Sequence, residues 1–130
     1  MDKNYELQMS YSVGIVGATG AVGKEIRQCL EDRNFPVEKL RIFGSSRSAG
    51  STVSTKYGDV TVELFDVKAA RECDVVFLAV SGDFSLEHAK ALTEGDDGCV
   101  CIDNSVGVSE SSRHVTYFVV SNSVRAIPRL

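Results

Sequence analysis

Tryptophan is absent, histidine occurs only twice, and proline only twice, in a chain of 130 residues. Without tryptophan, and with little mixing of basic and aromatic side chains, nothing in the chain suggests a base-stacking platform for nucleic acid. No apolar run approaches the roughly 20 residues needed to span a bilayer. The first residues, Met1-Asp2-Lys3-Asn4-Tyr5-Glu6-Leu7-Gln8, lack the apolar core of a secretory signal and the Arg-rich, acid-poor character of a transit peptide. The chain is therefore expected to stay in the cytosol. The 14 basic and 18 acidic residues leave a net charge of −4, which speaks against non-specific nucleic-acid or anionic membrane binding. Four cysteines are present, Cys29, Cys73, Cys99 and Cys101, but none forms a C-x-x-C pair and neither His88 nor His114 stands in metal-type spacing with them. They are expected to be reduced and mostly buried, behaving as small hydrophobes.

What is present is an alternation of strand and helix signals. Tyr11 to Val16 is short, apolar and glycine-bounded, as suits a buried parallel strand. Val22, Ile26, Cys29 and Leu30 then recur at helical spacing, with Lys24, Arg27, Gln28 and Glu31 on the other face, and Asn34 and Pro36 close the helix. Leu40 to Phe43 reads as the next strand, and the Ser-, Thr- and Gly-rich stretch from Arg47 to Gly58 as an ordered loop. Val60 to Leu64 alternates like a half-exposed strand near a sheet edge. Asp66 is placed to cap a short helix running to Arg71. Asp74 to Val80 is the most apolar run and predicts a central strand. Phe84, His88 and Ala91 share one face of a helix ended by Gly95 to Gly98, and Cys99 to Asp103 supplies a further strand.

The predicted class is α/β: a Rossmann-like, doubly wound, mainly parallel sheet with right-handed crossovers. Residues 1–11 are read as an N-terminal extension, 12–105 as the nucleotide-binding domain, and 106–130 as a divergent tail in which only Val115 to Val120 has strand character.

The sharpest motif is Gly17-Ala18-Thr19-Gly20-Ala21-Val22-Gly23, directly between the first strand and the first helix. Gly17 permits the tight turn, Gly20 lets a pyrophosphate approach the backbone, and Gly23 lets the helix pack close. The free N–H groups and positive dipole end of the helix would hold the phosphates. The G-x-x-G-x-x-G spacing is weak alone, and the competing reading is a turn that merely connects two elements; its position between strand and helix makes it specific. After the second strand, where NAD-binding sheets carry an Asp or Glu, this chain reads Gly44-Ser45-Ser46-Arg47-Ser48. An arginine flanked by hydroxyls would bind a 2′-phosphate that a carboxylate would repel, so NADP is expected over NAD. The alternative is a solvated loop cation. Ser81-Gly82 and Asp103-Asn104-Ser105 fall at the carboxyl ends of their strands, where ligands of this architecture lie; capping is the favoured role for Asp103 and an equal one for Asn104.

The Val13 to Gly23 run, the Ser46-Arg47-Ser48-Ala49-Gly50 loop and Asp103-Asn104-Ser105 together resemble the N-terminal domain of the aspartate-semialdehyde dehydrogenase family, over residues 12–105. N-acetyl-glutamyl-phosphate reductase shares the fold and chemistry and is the nearest competitor. The resemblance implies an NADP-dependent oxidoreductase acting on an acyl phosphate, which reductively dephosphorylates aspartyl phosphate to aspartate semialdehyde for lysine, threonine, methionine and isoleucine synthesis. It uses a cysteine acyl-enzyme, hydride from NADPH and a histidine acid–base. It also implies that Thr19, Gly20, Ala21 and Val22 cradle the pyrophosphate, Ser45, Arg47 and Ser48 take the 2′-phosphate, and Gly82 and Asn104 line the cofactor cleft.

The departures from the family are equally specific. The Phe-Arg pair that follows Asp-Asn-Ser in the family is replaced by Val108-Ser109, its Pro-Glu-Val-Asn pattern by Ser121-Asn122-Ser123-Val124, and its Asn-Cys-Ser/Thr nucleophile does not occur. No resident cysteine adjoins a histidine or a helix N-terminus that would lower its pKa. His88 is expected to be packed and His114 solvated, so no catalytic residue is assigned. The expectation is a truncated or degenerate family member, inactive alone, with self-association or a full-length homologous subunit as its partner. The alternatives are a stand-alone NADPH-binding regulatory module and a scaffold that has lost its ligand.

Overall fold

The computed structural model describes residues 10–104 and the backbone of residues 118–120. The elements run β1 (Tyr11–Val16), α1 (Ala21–Asp32), β2 (Val37–Gly44), β3 (Thr52–Thr55), β4 (Gly58–Leu64), α2 (Val67–Ala70), β5 (Val75–Leu78), α3 (Gly82–Thr93), β6 (Val100–Asp103) and β7 (Phe118–Val120). They form one 7-stranded sheet in the order β3-β4-β2-β1-β5-β6-β7. β1 lies between β2 and β5 and is parallel to both, with Ile15 opposite Ile42 on one side and Phe77 on the other. β4 continues the parallel set beyond β2, and β6 beyond β5. Both edges are antiparallel: β3 against β4 and β7 against β6. This is the expected Rossmann-like, mainly parallel α/β sheet.

The apolar run of β1 follows from its place at the middle, where both faces are covered. Ile15 faces α1 together with Tyr11, Val13, Leu30, Leu40 and Ile42. Val16 faces α2 and α3, together with Phe43, Val76, Leu78, Leu92, Cys99 and Cys101. Adjacent residues thus serve opposite cores, as the period of two along a strand requires. Asp66 caps α2 as expected, its side chain accepting from Ala69 N–H at 3.0 Å. Gly95, at φ +84°, follows α3 and helps end it.

Three expectations need correction. The Arg47 to Gly58 stretch is not all loop, because Thr52–Thr55 forms an edge strand that pairs with β4 through a hairpin with Lys56-Tyr57 at its tip. Its Ser/Thr/Gly composition masked β-branched residues whose state is decided by cross-strand pairing rather than local propensity. Tyr57 Oη donates to the Leu30 carbonyl at 3.0 Å and Lys56 Nζ to the Glu31 carbonyl at 3.3 Å, which pins the hairpin to the end of α1. β2 is also longer than its apolar centre, beginning at Val37 with exposed Glu38 and Lys39. Finally, Cys29, placed by helical spacing among core residues, is exposed, whereas Cys73, Cys99 and Cys101 are buried as expected. The strand reading over 115–120 is met at Phe118–Val120; residues 115–117, His114, most of the 106–130 tail and residues 1–9 lie outside the described residues. No helix among the described residues is long and apolar enough to cross a membrane.

One polar knot ties the parallel strands to the second helix. Arg41 on β2 forks onto Glu63 of β4, Nε to Oε2 at 2.9 Å and Nη2 to Oε1 at 2.6 Å. Its Nη1 reaches both the Ala69 carbonyl at 3.0 Å and Glu72 at 2.9 Å, and its carbon lies 5.2 Å from the Phe43 ring centroid. The Arg41 side chain is only 12% exposed, so removing it strands the Glu63 carboxylate, whose pKa the Arg41 hydrogen bond lowers. With Glu63 partly open to solvent the loss is moderated, and Arg41→Ala is expected to reduce unfolding free energy by about 2 kcal/mol in urea denaturation. A change below about 0.5 kcal/mol would mean the knot is a surface ion pair of no consequence.

Candidate dinucleotide-binding site

At the carboxyl end of β1 the chain passes through Gly17 at φ +85°, a conformation that favours glycine. The Gly17 N–H donates to the Phe43 carbonyl at 2.9 Å, so the turn starts from the sheet itself. A side chain at Gly17 would run into the Ala79 carbonyl, and one at Gly23 would run into the Gly17 carbonyl and the Ala18 Cα. These two glycines therefore let strand, turn and helix pack backbone to backbone. Gly20 differs: a Cβ there would meet only the Gly17 carbonyl at 3.5 Å, leaving its outer side open for something to approach.

Gly20 is also the N-cap of α1, and no side chain caps the helix. The first recorded helical bond beyond it is Lys24 N–H to the Gly20 carbonyl at 3.0 Å, so the preceding amides of the first turn point outward as donors. No acidic side chain sits in that turn. The combination of free amides, positive dipole end and missing carboxylate suits an anion.

A cavity of about 680 Å³ opens in front of this turn, at the carboxyl ends of β1, β2, β4 and β5. Gly17, Thr19 and Gly20 form one wall, Gly44, Ser45, Ser46 and Ser48 a second, and Leu64, Phe65, Ala79, Val80, Ser81 and Phe84 the rest. The serine wall is a folded turn. Ser48 and Ala49 donate from their N–H groups to the Ser45 carbonyl at 3.1 and 2.9 Å, and Gly50 N–H ties the loop to Val62 at 2.8 Å. A Cβ on Gly44 would strike the Ser48 hydroxyl, so the serine turn folds back closely over the end of β2. The apolar wall is an aromatic cluster, with Phe65 stacked edge-on against Phe43, Phe84 and His88 at 6.3, 4.9 and 5.1 Å between centroids. His88 is packed there, as expected. Ser81 caps α3, accepting from the Phe84 N–H at 3.3 Å.

Of the residues singled out from sequence, Gly17, Thr19, Gly20, Ser45 and Ser48 line this one cavity. Ala21 and Gly23 belong to the first turn of α1 beside it. Arg47 is exposed at the crest of the serine turn, between two lining residues, and its side chain makes no hydrogen bond or ion pair recorded among the described residues. Gly82 opens α3 next to Ser81. Two residues are not brought there. Val22, 44% exposed, and Asn104 line a separate groove on the other side of α1. Asp103 accepts from the Ser85 hydroxyl at 3.1 Å, which joins the end of β6 to α3. The lining residues that sequence reading missed are Leu64, Phe65, Val80 and Phe84. Their signal was available in principle: each falls within a few residues of the carboxyl end of a parallel strand, where the cleft of such a sheet must be.

A parallel sheet whose central strand runs through a glycine turn into an uncapped helix, with a cleft across its carboxyl edge, defines a dinucleotide-binding α/β domain. The chain belongs to the family described as semialdehyde dehydrogenase, NAD binding domain, whose model matches residues 12–122. It is 39% identical over 93 residues to an aspartate-semialdehyde dehydrogenase of Synechocystis sp., covering 72% of this chain and 27% of the relative. It is 46% identical over 95 residues to that of Streptomyces akiyoshiensis, covering 72% and 26%. The crystal structure of aspartate semialdehyde dehydrogenase II of Vibrio cholerae, complexed with ASA, superposes with a TM-score of 0.65 at 33% identity, over 75% of this chain and 31% of that one. The Candida albicans aspartate semialdehyde dehydrogenase, solved with NADP, gives 0.58 at 26% identity, over 75% and 30%. The chain thus spans less than a third of the length of these relatives.

The buried thiols lie away from this cleft, in the core under α2 and α3. Burial pushes Cys101 up to about 12 and Cys99 to about 11, and raises Cys73 as well, so all three stay protonated near neutrality. No group of three or more His, Cys, Asp or Glu residues able to hold a metal occurs among the described residues. Because these pKa values are raised in the folded state, their contribution to stability is complete below the ordinary thiol range and disappears as pH climbs through the folded values. Thermal stability should therefore fall steeply between about pH 9 and 12, each raised unit corresponding to about 1.4 kcal/mol. Cys101→Ala should flatten that decline in melting scans; an unchanged alkaline slope would show that the thiol ionises without unfolding.

Proposed function

We infer that this chain is the NADP-binding portion, with domain limits at 12 and 105, of an enzyme of the aspartate-semialdehyde dehydrogenase type. The observation that carries the cofactor choice is the end of β2. The wall of the cleft there is Gly44-Ser45-Ser46 and Ser48, without a carboxylate, and the Arg47 cation stands exposed at its crest. A ribose 2′-phosphate would meet a guanidinium and hydroxyls there, whereas an unphosphorylated ribose would lack the acidic partner it normally finds. The amides of Ala21, Val22 and Gly23 hold the pyrophosphate, Gly20 gives it room, and the Leu64, Phe65 and Phe84 wall supplies apolar cover. The Candida albicans relative solved with NADP supports the same choice.

When bound, the nicotinamide supplies hydride to an acyl group. The residues described here bind and orient the dinucleotide. The reaction of the whole enzyme, reductive dephosphorylation of aspartyl phosphate in amino-acid biosynthesis, needs a nucleophile and an acid–base that this cleft does not contribute. Partners are NADP(H) and a homologous subunit or a second copy of the chain. A stand-alone NADPH-binding regulatory module is the second reading, favoured by the departures Val108-Ser109 and Ser121 to Val124 from the family pattern.

The test is an equilibrium titration of the full chain and its Arg47→Ala variant with NADPH and NADH. A charge-assisted contact of about 1.5–3 kcal/mol predicts an NADPH affinity about 10- to 100-fold weaker in the variant. NADH binding should be unchanged. Equal losses for both dinucleotides, or none, would remove the 2′-phosphate assignment.

A further inference from the structure

The helix α1 presents two unlike flanks. One looks over β5 and β6, where Val22, Glu25, Cys29 and Arg33 line a second furrow, of about 360 Å³, that ends at Asn104. The other flank is polar and faces the β3–β4 hairpin. There Arg27 Nη1 donates to the Ser54 carbonyl at 3.3 Å, and Glu31 Oε1 accepts from the Lys56 N–H at 3.1 Å. Between these two contacts the helix advances four residues and the hairpin two, each about 6–7 Å, so the two run side by side away from the carboxyl edge and keep in step.

Lys24 belongs to this flank, since residues three and seven before Arg27 and Glu31 share their face of the helix. One more step of the same ladder sets it level with Thr52, where the serine turn becomes β3. Helical side chains lean toward the N-terminus, which carries the Lys24 ammonium toward the Gly20 end of α1. Gly20 and the serine turn are two walls of one cleft. Lys24 is exposed, and its side chain makes no hydrogen bond or ion pair among the described residues. The nearest carboxylates on the helix are directed elsewhere: Glu25 lines the furrow, and Glu31 is held by the hairpin. The first charged residue of α1 is therefore a cation close to the positive end of the helix dipole, where a carboxylate would be the stabilising choice.

We propose that Lys24 is a second specificity-determining cation of the cleft, set opposite Arg47 across the 2′-phosphate of NADP. The inference rests on the cofactor reading above and deepens it. A phosphomonoester carries close to two negative charges near neutrality, which one guanidinium neutralises only in part. Lys24 from the helix side and Arg47 from the serine turn together match that charge, while the first-turn amides of α1 serve the pyrophosphate.

The test is a set of equilibrium titrations of the full chain with NADPH, NADH and adenosine 2′,5′-bisphosphate, which carries the 2′-phosphate without a pyrophosphate. Lys24→Ala is expected to weaken NADPH and the bisphosphate about 3- to 10-fold, the range between an exposed ion pair and a charge-assisted hydrogen bond. NADH affinity and far-UV circular dichroism should not change. Lys24→Arg, which keeps the charge, should retain most of the NADPH affinity, and Lys24→Ala combined with Arg47→Ala should bind NADPH no better than NADH. Equal losses for NADPH and NADH in Lys24→Ala would assign the ammonium to the pyrophosphate and overturn the proposal. Unchanged NADPH affinity in Lys24→Ala, beside a selective loss in Arg47→Ala, would overturn it while leaving the cofactor reading intact. A native chain that binds NADPH no more tightly than NADH would remove the cofactor reading itself, and this inference with it.

Discussion

Strand, turn and helix meet at Gly17 and Gly23 with no space for a side chain between them. A Cβ at Gly17 would strike the Ala79 carbonyl beyond β5, and one at Gly23 would strike the Gly17 carbonyl. That contact fixes the start of α1 against the carboxyl edge of the sheet, and everything in the cleft is measured from it. Because Gly17 also hydrogen-bonds to Phe43 and Ala79 to Val16, the turn is locked to β2 on one side and β5 on the other. The first-turn amides of α1 therefore point to a fixed place, ahead of a rigid floor. Preorganised donors are what allow a helix terminus to hold an anion without further ordering on binding.

Around that fixed point the fold divides its labour by face and by edge. The two cores are apolar and are reached by alternate residues of the same strands, and the apolar wall of the cleft packs against one of them. The polar connections lie at its margins: Arg41 ties β2 to β4 and α2, and Arg71 closes the far end of α3 by donating to the Glu94 carbonyl at 2.8 Å and to Asp97 at 2.6 Å. Among the described residues Arg47 has no such duty: raised on a serine turn at the cleft's rim, it contrasts with two arginines that hold elements together.

The central strands and the glycine turn were legible because their signals are local and mutually consistent. An apolar run such as Val75 to Leu78 needs burial on both faces, and only glycine serves at Gly17. The hairpin of β3 and β4 was not legible in the same way, since Thr52 to Thr55 becomes a strand through its pairing with β4 and the anchoring of Tyr57 to α1. Cys29 illustrates the same limit. Helical spacing places it with Ile26 and Leu30, but no helix among the described residues covers that side of α1 over β5. The apolar wall of the cleft was missed because Phe65 and Phe84 come together across separate elements. Asn104, placed by family likeness in the cofactor cleft, stands instead at the end of the second furrow.

The central claim is that a dinucleotide sits with its phosphates on the first turn of α1 and its ribose phosphate against the serine turn. The most direct measurement is an amide-resolved NMR titration of the full chain with NADPH. The account predicts that the largest shifts cluster at Thr19 to Lys24 and Ser45 to Ser48, with the β6 and α2 amides little changed. Saturating NADPH that leaves both clusters unperturbed, or shifts only residues of the furrow beside Asn104, would contradict it.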